Sequence, residues 1–271
     1  MPAFVDRTTT GGTVRLTLCQ EARGNPVSVD LLEDLDRHLE EIEADPSVRV
    51  VVLTGRGRAF SVGADLAAPP AQRWLRRETV AGDLTRLRRA TRIVERLHLL
   101  PPVTVAAING AAAGAGLALA LACDLRVATD RAVVNTAFLS AGLPGDFGGI
   151  WFATHMLGAA RARELFLLPG KLSAVAAADA GLVTRVVADE GFDAAVDDLA
   201  RRLAVNAPAA ARAMKQNLQA AATTTLGDYL RQESERMVAA FHGEEAPEAA
   251  RAFLERRTPS YADAVEVTDG R

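Results

Sequence analysis

The stretch AAINGAAAGAGLALALACDL, residues 106–125, decides the fold prediction for this chain. It is uncharged before Asp124 and consists mostly of Ala, Gly and Leu. Asn109-Gly110 is a strong turn signal between a strand-like and a helix-like segment. Small residues at such a turn let another group approach the backbone, and the first N–H groups of a helix lack intrahelical partners. The stretch therefore predicts a turn whose backbone N–H groups can bind a ligand.

A membrane-spanning helix is the alternative interpretation of this region. Residues 103–123 are uncharged and, at 21 residues, just long enough to cross a bilayer. A strand, a turn and a buried helix explain the same residues together with Gly114 and Gly116, which a spanning helix does not explain. We therefore favour an α/β interpretation without a membrane segment.

The whole chain has the composition of a globular protein and not of a nucleic-acid-binding one. Of its 271 residues, 49% are hydrophobic, and the formal net charge is −3. Cys19 and Cys123 show no metal-binding or redox spacing, and the four histidines are scattered, so no metal site is expected. The first residues, MPAFVDRTTTGG, lack the features of a signal peptide, and a reduced, cytoplasmic location is expected.

Strand-like and helix-like segments alternate over the first ~190 residues, which predicts an α/β fold with mostly parallel strands. The strand-like segments are 13–20, 48–55, 103–108, 125–129, 132–138 and 182–188, and the helix-like segments are 29–44, 74–99 and 116–123. After Gly148 the pattern is mostly helical to about Arg257. We expect an α/β core over 1–200 and a C-terminal helical region over 201–271.

Three uses of a Gly-rich turn are distinguished by sequence. The dinucleotide fingerprint and the P-loop both fail here, which leaves an oxyanion hole, in which backbone N–H donors stabilise charge developing on a carbonyl oxygen. A second small-residue turn, GRGRAFSVGADL (55–66), follows the strand-like segment 48–55. It lacks the GxSxG pattern of a nucleophilic serine around Ser61, so an α/β-hydrolase is not predicted.

The two turns resemble the two oxyanion-hole segments of the crotonase superfamily, the enoyl-CoA hydratases and isomerases. The matching stretches are GRAFSVGADL (57–66) and AAINGAAAGAGLALALACDLRVAT (106–129). GLPGDFGG (142–149), ARARELFLL (160–168), ADAGLVTRVV (178–187) and ARAFLERR (250–257) follow in the family's order. The resemblance covers nearly the whole chain and implies a crotonase-type ββα spiral with a C-terminal helical trimerisation region.

This resemblance also implies an activity. The protein would be an acyl-CoA enzyme, a lyase or isomerase that hydrates an enoyl-CoA or shifts its double bond. The backbone N–H groups of Ala64 and Ala115 would hold the oxygen of a thioester enolate. Coenzyme A would be part of the substrate, with no tightly bound cofactor and no metal. Homotrimers or dimers of trimers are implied, with no nucleic-acid or membrane partner.

The sequence departs from the family at the two positions where hydratases usually carry glutamates. Those positions are Ala118 and Phe138, and neither side chain can transfer a proton. Addition of water to an enoyl thioester needs groups that orient the water and exchange a proton with carbon. An acyl-CoA-binding homologue without hydratase activity is therefore the alternative to an enzyme.

Asp146 is the candidate catalytic acid. It lies in a Gly/Pro-rich turn, and members of the family that isomerise dienoyl thioesters or attack aryl thioesters are similar in having Asp at or beside this turn. An Asp that follows Pro-Gly is also a favoured turn or N-cap residue, so a structural role stays open.

Substrate and CoA contacts are assigned by the same resemblance. Arg58, Asp65 and Leu66 lie in or beside the first turn, and Phe253 and Arg256 match the family's C-terminal aromatic and basic pair. Arginine suits phosphate because of its fork of donors, although an Arg on a solvated helix face is equally consistent with each position. Segment 67–90 is the predicted wall of the acyl pocket, and Trp74 and Trp151 are either pocket or core residues.

Overall fold

Two β-sheets and the helices that connect their strands form the α/β part of the protein. The computed structural model describes residues 3–69 and 73–261. The larger sheet contains β1 (Val5–Thr10), β2 (Thr13–Leu18), β3 (Val50–Gly55), β5 (Val103–Ile108), β7 (Leu125–Thr129) and β10 (Arg185–Val187), in the order β1-β2-β3-β5-β7-β10. The smaller sheet contains β4 (Ala59–Ser61), β6 (Ala111–Ala113), β8 (Val133–Asn135) and β9 (Lys171–Ser173), in the order β4-β6-β8-β9.

The helices begin with α1 (Val29–Glu43), α2 (Val80–Leu99), α3 (Ala115–Ala122), α4 (Gly149–Leu167), α5 (Ala174–Asp179) and α6 (Phe192–Ala204). The C-terminal region adds α7 (Pro208–Ala221), α8 (Leu226–His242) and α9 (Glu245–Glu255). Three times in succession the chain passes from the larger sheet to the smaller sheet and then into a helix: β3-β4-α2, β5-β6-α3 and β7-β8-α4. This repetition confirms the predicted ββα spiral.

Parallel pairing dominates both sheets, as the alternating pattern predicts. The larger sheet has four parallel pairs, β2-β3, β3-β5, β5-β7 and β7-β10. Its edge strand β1 pairs antiparallel with β2. The continuous apolar run of β3 is buried on both faces: Val51 and Leu53 join the large core under α1 to α4, while Val50 and Val52 face Phe192 and other residues of α6. A β-branched strand without alternation suits this two-sided burial.

Several boundaries differ from the predicted ones. Strands β4, β6 and β9 were not predicted, because three residues are too few to show a period. The strand predicted over 132–138 ends at Asn135, since the left-handed backbone of Ala137 (φ 58°) breaks it. Helix α2 begins at Val80 and not at Trp74, because the side chain of Thr79 caps it by accepting a hydrogen bond from the N–H of Gly82 (3.0 Å).

The C-terminal helices dock on the core through a buried ion pair. Lys215 of α7 contacts Asp124 (2.7 Å) and donates a hydrogen bond to the carbonyl of Pro102 (3.0 Å). The same carboxylate oxygen of Asp124 accepts hydrogen bonds from the N–H and the hydroxyl of Thr104 (2.7 and 2.9 Å). Asp124 lies two residues after the end of α3 at Ala122. The network therefore joins α7 to the helix that begins at the Gly-rich turn.

No helix in the described ranges is both long and apolar enough to cross a bilayer. Helices α7 to α9 instead carry exposed large apolar side chains, among them Met214, Leu218, Met237, Phe241 and Phe253.

We expect Lys215→Met to lower the free energy of unfolding by about 3 kcal/mol, because it leaves a partly buried carboxylate without its cation. Chemical denaturation measures this loss. The matched control is Arg201→Met, whose ion pair with Asp198 is exposed and should contribute less than about 1 kcal/mol. Equal effects of the two substitutions would contradict the assigned role of Lys215.

Candidate active site

The two predicted turns meet backbone to backbone. A Cβ on Gly63 would lie 2.6 Å from the carbonyl oxygen of Ala113 and 3.5 Å from the amide nitrogen of Ala115. A Cβ on Gly116 would lie 2.6 Å from the carbonyl oxygen of Ser61. Glycine is therefore required at both positions, because any side chain would push the turns apart.

The N–H groups of Ala64 and Ala115 are the predicted ligand donors. Ala115 is the first residue of α3, so its N–H has no acceptor within the helix. Over residues 3–69 and 73–261, neither N–H donates a hydrogen bond to protein. Ala115 is buried, whereas Ala64 is exposed. Two unpaired donors thus lie on turns in direct contact, one in the core and one at the surface.

Asn25 holds the first turn, and the sequence analysis did not identify it. It is fully buried with a left-handed backbone (φ 54°). Its side-chain amide donates to the carbonyls of Arg56 (3.0 Å) and Ala59 (2.8 Å) and accepts from the N–H of Gln20 (2.8 Å). The signal for this role is the Gly-Asn-Pro tripeptide at 24–26, which marks a turn in which Asn tolerates positive φ.

Asn109 ties the second turn to the first. Its side chain accepts a hydrogen bond from the N–H of Gly55 (3.2 Å) and donates one to the carbonyl of Gly57 (2.9 Å). Gly110 packs against the backbone of Arg58 so closely that a Cβ would overlap the carbonyl oxygen. The dipeptide singled out as a turn signal therefore also fixes the distance between the two loops.

The positions of the two missing glutamates lie side by side next to the N-terminus of α4. A Cβ on Gly149 would lie 3.4 Å from the Cβ of Ala118 and 3.8 Å from the ring of Phe138. Phe138 stacks on Phe166 at 6.5 Å between ring centroids, and both are buried. The atoms nearest to a Cβ on Gly149 are therefore those of the apolar side chains of Ala118, Phe138 and Phe166.

The ring of Phe138 also connects the Gly-rich turn to the turn that carries Asp146. One edge of the ring lies 3.9 Å from a Cβ built on Gly114, which precedes Ala115. The opposite edge lies 3.9 Å from a Cβ built on Gly145, which precedes Asp146. A single phenyl ring therefore separates the backbone of the two turns.

Asp146 has the environment of a proton-transfer group. Burial raises the pKa of its carboxyl to about 6. Its Oδ1 is buried and has no hydrogen-bond partner among the described residues. The folded pKa lies above the ordinary value near 3.9, so the protonated carboxyl stabilises the folded protein relative to the ionised one, on the order of 2–3 kcal/mol. This stability is fully present below about pH 4 and is lost as the pH rises through about 6.

The N-cap alternative for Asp146 is not what the structure shows. Helix α4 has Gly148 at its N-cap position and no side-chain cap. The backbone carbonyl of Asp146 accepts a hydrogen bond from the N–H of Gly149 (3.2 Å), but its carboxylate caps nothing. A residue selected only for capping would use its side chain, so capping does not explain the buried Oδ1 of Asp146.

The five residues predicted to contact substrate and CoA lie in two places. Arg58 and Leu66 are exposed at the first turn, whereas the carboxylate of Asp65 is buried in an ion pair with Arg23. Phe253 and Arg256 are exposed at the end of α9, which packs against α8. The structure brings the first three to the site and leaves the last two on a separate surface of this chain.

The two tryptophans also separate. Trp74 packs partly buried on the main core, and its indole N–H is buried without an acceptor in the described part of the chain. Trp151 lies behind the Asp146 turn, on the wall of a cavity of about 1320 Å³ between α2, α4 and α7. Phe147 and Phe152 line the same cavity, whereas Asp146 does not. No cluster of His, Cys, Asp and Glu suited to a metal occurs among the described residues.

We expect Gly63→Ala to lower stability by about 2 kcal/mol or more, because it combines a strained φ of 88° with overlap of the Ala113 carbonyl. Any residual folded enzyme should lose turnover, since the turns must separate. Thermal denaturation and an activity assay measure both effects. Gly170→Ala is the control, because a Cβ there meets nothing within 4 Å; matching behaviour of the two variants would contradict the close contact.

Comparisons with known proteins show which family this chain resembles. The family model described as enoyl-CoA hydratase/isomerase matches residues 8–264. The 1,2-epoxyphenylacetyl-CoA isomerase of Escherichia coli (strain K12) is 35% identical over 252 residues, which cover 92% of this chain and 95% of the relative. The 4-chlorobenzoyl coenzyme A dehalogenase-2 of Arthrobacter sp is 30% identical over 266 residues, covering 95% and 93%.

A solved structure gives the same result in three dimensions. The crystal structure of an enoyl-CoA hydratase from Polaromonas sp. JS666 superposes with a TM-score of 0.89 at 32% identity, covering 95% of this chain and 99% of that one. Sequence and fold therefore agree over nearly the full length. The chain belongs to the enoyl-CoA hydratase/isomerase family.

Proposed function

We propose that this enzyme shifts a double bond in an acyl-CoA thioester, with Asp146 as the single proton-transfer group. The observation that carries the proposal is the buried, unpartnered Oδ1 of Asp146, whose turn is separated by one phenyl ring from the turn that presents the N–H of Ala115. The names of the two relatives both denote CoA thioester substrates, which supports the substrate class.

The reaction needs one base and a place for negative charge. Asp146 takes a proton from the carbon α to the thioester, and the electron pair moves to the carbonyl oxygen as an enolate. The N–H groups of Ala64 and Ala115 hold that oxygen, and each such donor contributes about 3–4 kcal/mol to transition-state stabilisation. The carboxyl then returns the proton at the γ carbon, which moves the double bond and regenerates the base.

Hydration fits this site less well. It requires a second group to orient water, and the positions where hydratases usually carry acids are Ala118 and Phe138. Asn135 could assist as an uncharged partner, but its side-chain oxygen already accepts the N–H of Ala137 (3.0 Å). We therefore propose slow hydration and faster isomerisation.

Asp146→Asn should lower isomerase turnover by about 10²–10⁴-fold, because the amide cannot accept the proton. Affinity for CoA, measured by calorimetry, should stay nearly unchanged. In the parent enzyme kcat should rise with pH through about 6, since the ionised carboxylate is the base. Matching rates for variant and parent on every active thioester would reduce Asp146 to a turn residue.

Two further variants complete the test. Glu164→Gln is the control carboxylate, exposed and paired with Arg161, and should leave kinetics unchanged. Ala118→Glu places an acid where hydratases usually carry one and should raise hydration of crotonyl-CoA. Binding of many enoyl-CoA esters without any turnover by the parent would favour the alternative, a CoA-binding homologue without catalysis.

We also propose that the chain assembles as a trimer or a dimer of trimers through its C-terminal helices. Exposed apolar side chains on α7, α8 and α9 support this, because a monomer seldom leaves such a surface in water. In that assembly Phe253 and Arg256 would contact the CoA of a neighbouring subunit. Light scattering at micromolar concentration should give at least three times the 28.7 kDa chain mass; a monomer would contradict the proposal.

A further inference from the structure

The turn that carries Asp146 contains a backbone conformation that one of its side chains disfavours. Gly145, Phe147 and Gly148 have φ values of 110°, 51° and 72°. Glycine adopts such values freely, whereas an aromatic residue adopts them only when its surroundings hold it there. Phe147 is therefore the strained residue of this turn, and it directly follows Asp146.

Burial of its ring explains how Phe147 is held. The side chain is 3% exposed and packs in the main hydrophobic core, on the wall of the cavity between α2, α4 and α7. Asp146 is absent from that wall. The ring of Phe147 therefore lies on the cavity wall, while Asp146, the preceding residue, does not line this cavity.

No polar contact orients the carboxylate of Asp146. Its Oδ1 lacks a hydrogen-bond partner within the described residues, and only its backbone carbonyl is bonded, to the N–H of Gly149. A carboxylate without a donor is free to rotate toward water unless the backbone fixes its direction. The backbone of this turn depends in turn on the conformation of Phe147.

We propose that Phe147 is a positioning residue: its buried ring holds the left-handed backbone that keeps Oδ1 of the half-buried Asp146 turned inward. The role rests on the proposed function, since it matters for chemistry only if Asp146 is the base. Phe147 itself touches no reacting atom. Its contribution is to keep Oδ1 of the base buried and in place before the acyl-CoA arrives.

The decisive variant is Phe147→Ala, which deletes the ring and, unlike glycine, does not adopt the left-handed φ freely. The pKa of Asp146, followed directly by NMR titration of its carboxyl carbon, should fall from about 6 toward the ordinary value near 3.9, because the turn relaxes and water reaches the carboxylate. Isomerase kcat should fall about 10- to 100-fold with little change in KM, and the acid limb of the kcat profile should move down with the pKa.

Phe147→Val is the second variant, in case the alanine variant does not fold. It keeps apolar volume in the core but disfavours positive φ, so the pKa and kcat should move in the same directions by smaller amounts. Phe192→Ala is the matched control, because Phe192 is an equally buried phenylalanine in the second core, against β3. It should lower the melting temperature while leaving the pKa of Asp146 and the kcat profile unchanged.

The outcomes separate this inference from the proposed function. An unchanged pKa and an unchanged kcat profile in folded Phe147→Ala or Phe147→Val would overturn the role of Phe147, even if Asp146→Asn is inactive. Full activity of Asp146→Asn would instead overturn the proposed function, while the NMR titration would still report whether Phe147 controls the carboxylate. A shift that Phe192→Ala reproduces would mean a general loss of packing and would also overturn the inference.

Discussion

Contact between two backbone turns, with no side chain between them, is the constraint on which this site depends. Gly63 and Gly116 permit the contact, and Asn25 and Asn109 hold the loops in register through hydrogen bonds to main-chain groups. Backbone N–H groups that bind a ligand must be left without partners in the protein, which is costly when they are buried. The side-chain amides of Asn25 and Asn109 pair other main-chain groups of the first turn, those of Gly55, Arg56, Gly57 and Ala59.

The sequence predicted those parts of the structure that have a repeated pattern. The continuous β-branched run of β3, the amphipathic spacing of α1 and the Gly-rich turn before α3 all have signals longer than one helical or strand period. The resemblance of ordered motifs supplied the spiral topology. Both kinds of signal are spread over many residues, so single substitutions do not obscure them.

The parts that could not be predicted depend on single contacts between distant residues. The smaller sheet consists of three-residue strands, which only pairing in three dimensions reveals. Asn25 lies more than thirty residues from the carbonyls that it binds, and the ion pair joins Lys215 to Asp124 across a long separation in sequence. The sequence placed Asp146 in a turn, but only the structure shows its Oδ1 buried and unpaired.

The ion pair of Lys215 gives helix α3 two attachments. Its first residue, Ala115, presents an amide at the site, and Asp124, just beyond its last residue, binds α7. The eight residues of α3 span about 12 Å, and a helix this short moves as one unit when either end is displaced. If subunits associate through α7 and the acyl thioester binds at Ala115, as proposed, the two events would act on opposite ends of this helix. Their free energies would then be linked, so any gain in thioester affinity on assembly would be matched by an equal gain in assembly when the thioester binds.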